Sequence, residues 1–191
     1  MKKLSLSIAA ILFFLGVSFG QDTNNDSHNI AFNINAFAIL DIESAAGGNT
    51  TIDLTPTAPT EAGLGIDYSG AQNSDLWLNY SSIVSAGKTR SITAQMTTAN
   101  LPGGVTLNVE TGTATSSAKK GNVGSGTSVQ SFDPSGTAMT VVSGIGSCIT
   151  GDGANNGCNL KYTVSFDDSQ YGSLEEGSYN ATITYTISDQ N

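Results

Sequence analysis

The sequence predicts an all-β protein: a single immunoglobulin-like antiparallel β-sandwich with Greek-key connections and about eight or nine strands, over residues 30–191. Three observations carry this. Several segments alternate apolar and polar residues at period two. They recur at hairpin spacing, separated by Gly, Pro, Asn and Ser. After residue 20 no segment carries a convincing helical periodicity. A sheet with one dry face has to cover that face, and a second sheet does so; a closed barrel is the alternative.

Residues 1–20, MKKLSLSIAAILFFLGVSFG, have a basic start at Lys2 and Lys3, an apolar stretch from Ile8 to Val17, and small residues at Ser18 and Gly20. This is the pattern of a secretory signal peptide. The apolar run is shorter than the roughly 20 residues a membrane helix needs. No cysteine stands at the expected cut before Gln21, so no lipid anchor is expected, and no later segment is apolar enough to anchor the chain. The mature protein is expected beyond the inner membrane, in the periplasm, secreted or at the cell surface. Residues 21–29 are polar and aperiodic, and are expected to form a mobile leader.

The first strand is expected over residues 30–42, where Ile30, Phe32, Ile34, Ala36, Ala38, Leu40 and Ile42 share a face. Its other face carries Asn33, Asn35 and Asp41 with Phe37 and Ile39. A short strand follows at 51–54, before Pro56 and Pro59 interrupt the ladder. Further strands are expected at 76–84, at 89–96 with Ile92, Ala94 and Met96 on one face, and at 105–110 after the turn NLPGG. Residues 111–137 are rich in Gly, Ser and Thr and read as a long loop or hairpin with a weak edge strand and Lys119 and Lys120 at its tip. Strands at 138–145 and 159–166 follow, the second with Leu160, Tyr162, Val164 and Phe166 on one face. The last strand is the cleanest: Tyr179, Ala181, Ile183, Tyr185 and Ile187 alternate with Asn180, Thr182, Thr184, Thr186 and Ser188.

Seven Lys and Arg stand against sixteen Asp and Glu; removing residues 1–20, which hold two lysines and no acid, moves the net charge from −9 to −11. Nucleic acid is excluded as a partner, because phosphate binding needs clustered Lys and Arg. The scattered acids read as a solvated surface. Cys148 and Cys158 frame CITGDGANNGC, and after export such a pair is expected to form a disulfide that stabilises by about 3 kcal/mol.

Chemistry is scarce. The one histidine, His28, lies in the leader, away from any nucleophile. The pairs Asp167/Asp168 and Glu175/Glu176 are adjacent and so point apart, whereas acid/base work needs carboxylates across a cleft. Asp152 to Gly157 partly echoes a calcium loop but has Ala154 at its third position and Thr163 at its twelfth, and reads as a tight Asn/Gly turn. No cofactor or metal set is expected, and the protein reads as non-enzymatic. Trp77 alternates with Leu76, Leu78 and Tyr80, so one set faces outward. Trp77, Asn79 and Tyr80 are the candidate contact residues, for a sugar ring or a protein partner; the alternative is Trp77 packed between the sheets.

YNATITYTISD at 179–189 resembles the closing motif of WxL-type surface domains, with Tyr185 as its aromatic, although Leu78 directly follows Trp77 where that family spaces them. This resemblance implies non-covalent attachment to the cell wall. ILDIE at 39–43, WLNY, RSITAQ, SGIGSCITGDGANNG and TITYTI are similar to small secreted proteins of Bacteroidetes type, which imply no activity. The chain also resembles spore-coat-U-like and pilin-like sandwiches, in which a neighbour can donate a strand; residues 30–42 would be that strand here. The expected function is a structural, adhesive or envelope-polysaccharide-binding role, with self-assembly through strand 30–42 as the alternative.

Overall fold

The computed structural model describes residues 25–47 and 50–190. The expected signal peptide and residues 21–24 lie outside them. The chain divides into two units, with the boundary after Asn33 and not after Asn29, and the second unit is Ile34–Asn191. In the first, residues 25–33 are exposed and carry no regular secondary structure.

The second unit is a two-sheet antiparallel β-sandwich. Its strands are β1 (Phe37–Ser44), β2 (Gln72–Ile83), β3 (Thr89–Asn100), β4 (Val105–Thr111), β5 (Lys120–Gly121), β6 (Ser125–Gly126), β7 (Gln130–Ser131), β8 (Met139–Ile145), β9 (Cys148–Ile149), β10 (Cys158–Phe166) and β11 (Asn180–Gln190). The first sheet is organised around β2. One side of β2 pairs with β1; the other pairs with β10 from Gln72 to Leu78 and with β9 at Ser81 and Ser82. β4 and β7 extend the sheet beyond β10, and β5 extends it beyond β9. The second sheet runs β11-β3-β8-β6. Each sheet therefore ends on a long edge strand, β1 in one and β11 in the other, and these two strands meet.

The dry faces meet in between. Leu76, Leu78 and Tyr80 of β2, Leu107 and Val109 of β4, and Leu160 and Tyr162 of β10 pack on Ile92, Ala94 and Met96 of β3 and Val141, Val142 and Ile145 of β8. Fully burying one aliphatic side chain stabilises by about 1.5–3 kcal/mol, so this seam supplies the main driving force. On β11 the expected alternation is present, but its inward residues Ala181, Ile183, Tyr185 and Ile187 are only half-buried.

Polar links cross between the sheets, among them Gln130 of β7, whose Nε2 donates to the Thr140 carbonyl of β8 at 2.8 Å. The Tyr162 and Tyr185 hydroxyls meet at 2.5 Å, joining β10 to β11. Arg90 of β3 has its side chain 10% exposed; it donates from Nε to Asp189 of β11 at 2.7 Å, and from Nη1 to the Phe37 carbonyl of β1, Ser82 Oγ at 3.0 Å and the Ile83 carbonyl at 3.1 Å.

The first strand needs correction. Pairing starts at Phe37, and of the expected inward face only Leu40 and Ile42 pack on the core; Ile30, Phe32 and Ile34 are 81%, 83% and 68% exposed. Period-two patterning marks a segment that can form a strand, but Phe37 already lies opposite Ile83, where β2 ends, so residues 30–36 have no length of β2 left to pair with. Residues 51–54 form no strand, yet Ile52 and Leu54 lean on the core, as an extended chain beside Pro56 can do. Residues 111–137 contribute the three short strands β5, β6 and β7. A short 3₁₀ helix, Asp168–Ser173, is capped by Asp167 accepting from the Ser169 amide.

Burial pushes the Tyr162 hydroxyl up to about 12 and pushes Tyr185 and Tyr80 up as well. A tyrosine held neutral by its surroundings contributes stability that is complete below the unfolded value of about 10 and is lost as pH rises through the folded one. Urea midpoints should therefore fall between about pH 10 and 12, and Tyr162→Phe should flatten part of that slope. A midpoint indifferent to pH in this window would contradict the interior placement of the pair.

Candidate functional site

Alternation along β2 decides what the outer face of the first sheet presents. With Leu76, Leu78, Tyr80 and Ser82 turned inward, Trp77, Asn79 and Ser81 face out. The strands beside them add neighbours at the same level. Glu43 of β1 and Asn159 of β10 flank Trp77, Asp41 flanks Asn79, and Ile39 and Ile149 flank Ser81. Directly opposed residues on one sheet face have Cβ atoms about 4.5–5.5 Å apart, so these rows are contacts and not merely alignments.

Trp77 is half-buried in this row and not packed between the sheets. The tryptophan-in-core arrangement is therefore not used here; Leu76 and Leu78 take those positions. Asn159 is held in place by donating Nδ2 to the Ser74 carbonyl at 2.7 Å and the Leu76 carbonyl at 3.3 Å. Asn79 is only 6% exposed because the turn Asp152–Gly157 folds over it, and its Nδ2 donates to the Gly153 carbonyl at 2.9 Å. Gly157 makes that close approach possible: a Cβ there would lie 2.0 Å from the Leu78 carbonyl oxygen and 2.2 Å from Asn79 Oδ1. Asn155 carries the turn with φ 69°, and Asn156 closes it by donating to the Asp152 carbonyl at 2.5 Å. The expected Asn/Gly turn is thus present.

Of the three candidate contact residues, Trp77 and Asn79 lie on the outer face and Tyr80 does not. Tyr80 is 3% exposed, its hydroxyl donating to the Val123 carbonyl at 2.5 Å and lying 3.4 Å from Cys158 Sγ. A cavity of about 330 Å³ opens beside them, lined by Ile39, Asp41, Asn79, Tyr80, Ser81, Ile149, Gly151 and Asp152. A second hollow, about 430 Å³, lies at the β2–β3 turn between Gly87, Lys88, Thr89 and Gln190, away from any aromatic residue. Sequence reasoning missed Asp41, Glu43, Ile39 and Asn159 as neighbours of Trp77 and Asn79. The alternation of residues 37–44 places the first three on one face, but the register against β2 that brings them alongside is non-local.

The expected disulfide is not formed: Cys148 and Cys158 are free and buried. The reason is register. Cys158 stands beside Leu78 and Cys148 beside Ser82 on the same side of β2. At the usual strand rise, four residues separate them by about 13 Å, whereas bridged Cα atoms lie within about 7 Å. Tyr80 holds the β2 position midway between these levels, and its hydroxyl lies 3.4 Å from Cys158 Sγ. Burial pushes both thiols above their ordinary range.

Elsewhere the sequence readings hold little chemistry. His28 is exposed, as are Glu175 and Glu176. The Ser169 hydroxyl and amide hold Asp167 below the usual carboxylate range. Among the described residues no group of three or more His, Cys, Asp or Glu side chains converges to hold a metal, and no helix is long and apolar enough to cross a membrane. Comparison of the chain with protein-family models, curated proteins and solved structures finds no match.

Thiol titration checks the cysteine geometry. Two reactive thiols are expected in denaturant and almost none in buffer, with an intact mass unchanged by reductant. A mass gain of two hydrogens on reduction would show that the pair is bridged.

Proposed function

We propose that the protein is a non-enzymatic, exported β-sandwich that binds a polysaccharide of the cell envelope through the outer face of its first sheet. The observation that carries this reading is Trp77 standing half-open on that face between Glu43 and Asn159. A sugar ring offers C–H bonds to an aromatic face and hydroxyls to neighbouring carboxylates and amides, and this row supplies both kinds of partner. The row rests on strands rather than loops, so its members are pre-positioned and little ordering cost accompanies binding. The acidic balance and the N-terminal pattern of residues 1–20 fit a protein that works outside the cell.

Pull-downs on intact envelopes, isolated peptidoglycan and assorted polysaccharides should retain the protein on at least one of them. Trp77→Ala should weaken retention at least tenfold with an unchanged melting temperature. Retention equal to the parent would remove the outer face from the reading.

A second reading, assembly of copies through the N-terminal strand segment, is favoured by a separate observation. Ile30, Phe32 and Ile34 are strongly exposed at period two, and among the described residues β1 and β11 each have one edge without a strand partner in their sheets. Such edges invite strand addition. On this reading, size-exclusion chromatography finds concentration-dependent oligomers that disappear when Ile30, Phe32 and Ile34 are all replaced by Ser. A monomer at every concentration would rule it out.

A further inference from the structure

We propose that the free edge of β11 is the acceptor for residues 30–36 of a second copy of this chain, which add beside it as an extra strand. This rests on the assembly reading and names the surface that reading leaves open. β11 pairs with β3 on one side only, and among the described residues no loop backbone hydrogen-bonds to its other side. From Asn180 to Ser188 the strand holds no charge, no proline and no glycine, and after the register shift at Thr182/Ile183 its ladder is regular to Gln190. Folded proteins block an exposed edge with charges or proline, or keep it short. β1, the other open edge, is blocked in this way: it has 8 residues against the 11 of β11, and carries Asp41 and Glu43.

The interior behind the β11 edge is open as well. Ala181, Ile183, Tyr185 and Ile187 point inward yet are only half-buried, so the dry space between the sheets is incompletely covered along this strand. A strand laid against β11 would cover it. Residues 30–36, IAFNINA, have the matching pattern. With Ile30, Phe32 and Ile34 beside that apolar row, Ala31, Asn33 and Asn35 fall beside Thr182, Thr184 and Thr186 on the wet face. Both segments are uncharged, so pairing them brings no like charges together in a chain of net charge −9.

The donor has to come from another copy. β1 is antiparallel to β2, β11 is antiparallel to β3, and the tight turn at Ser85–Lys88 reverses the chain between β2 and β3, so β1 and β11 run opposite ways. Arg90 ties the Phe37 carbonyl to Asp189, next to last in β11, and Phe37 lies opposite Ile83, where β2 ends. β1 therefore starts where both neighbouring strands finish, and the chain upstream of Phe37 has no length of either left to pair with. Donation from each copy to the next is a head-to-tail contact, which builds an open filament or a closed ring.

Hydrogen exchange read by mass spectrometry tests the acceptor, on the purified protein at low and high concentration, with size-exclusion chromatography run on both samples. Assembly should slow exchange at least tenfold in residues 30–36 and in amides of residues 180–190, and leave residues 37–44 unchanged. Thr184→Lys combined with Thr186→Lys, both at exposed positions, should raise the concentration needed for assembly at least tenfold with an unchanged melting temperature. A monomer at every concentration would remove the assembly reading and this acceptor together. Oligomers whose protection falls on residues 37–44, or whose residues 180–190 exchange as in the monomer, would overturn the acceptor alone. Assembly of the double Lys variant at the parent's concentration would do the same.

Discussion

Strand β2 carries the constraint on which the rest depends: its side chains alternate strictly, and the apolar set has to be inside. Placing Leu76, Leu78 and Tyr80 between the sheets forces Trp77, Asn79 and Ser81 outward. A slip of one residue would bury the indole and both polar side chains while exposing two leucines, at a cost of several kcal/mol in lost apolar burial and unpaired polar groups. Core and candidate site are thus two readings of one register. The same strand also sets the positions of β1, β9 and β10, since each pairs directly with it.

Where β1 and β11 meet, the sandwich is held differently. Apolar cover is thinner there, as the half-buried Ile183, Tyr185 and Ile187 show, and polar links take over. Arg90 is suited to this because its planar guanidinium presents several donors at fixed angles, and it serves strands of both sheets at once. Burying its charge is unfavourable, and the carbonyls and the Asp189 carboxylate offset that penalty. Asp189 is itself 75% exposed, so the ion pair is solvent-screened and the hydrogen bonds to β1 and β2 carry more of the link. The Tyr162–Tyr185 contact plays the corresponding part further along the seam.

The two cysteines show how far local reasoning reaches. Their nearness in sequence suggested a bridge, and the chain between them does turn back on itself. However, the turn returns Cys158 to a different level of β2 from the one Cys148 occupies, and the sulfur of Cys158 lies beside the Tyr80 hydroxyl. Sequence separation bounds how far apart two residues can be; it does not bring them into contact. The same limit applies to residues 30–36, whose alternation is as regular as that of β11. Regular alternation describes a strand with a dry face, and whether anything covers that face is settled by what lies opposite.

The sequence by itself determined the class of fold, the long strands β2, β3, β4, β8, β10 and β11 and the inward faces of β3, β10 and β11, because hydrophobic alternation is a local property that any two-sheet packing has to respect. Tertiary structure alone decided that Trp77 faces out, that the cysteines stay apart, and that Asp41 and Asp152 share a cavity with Asn79. Those outcomes depend on which strand lies beside which and in what register. That choice is made by the summed burial of the whole interior, and no short stretch of residues encodes it.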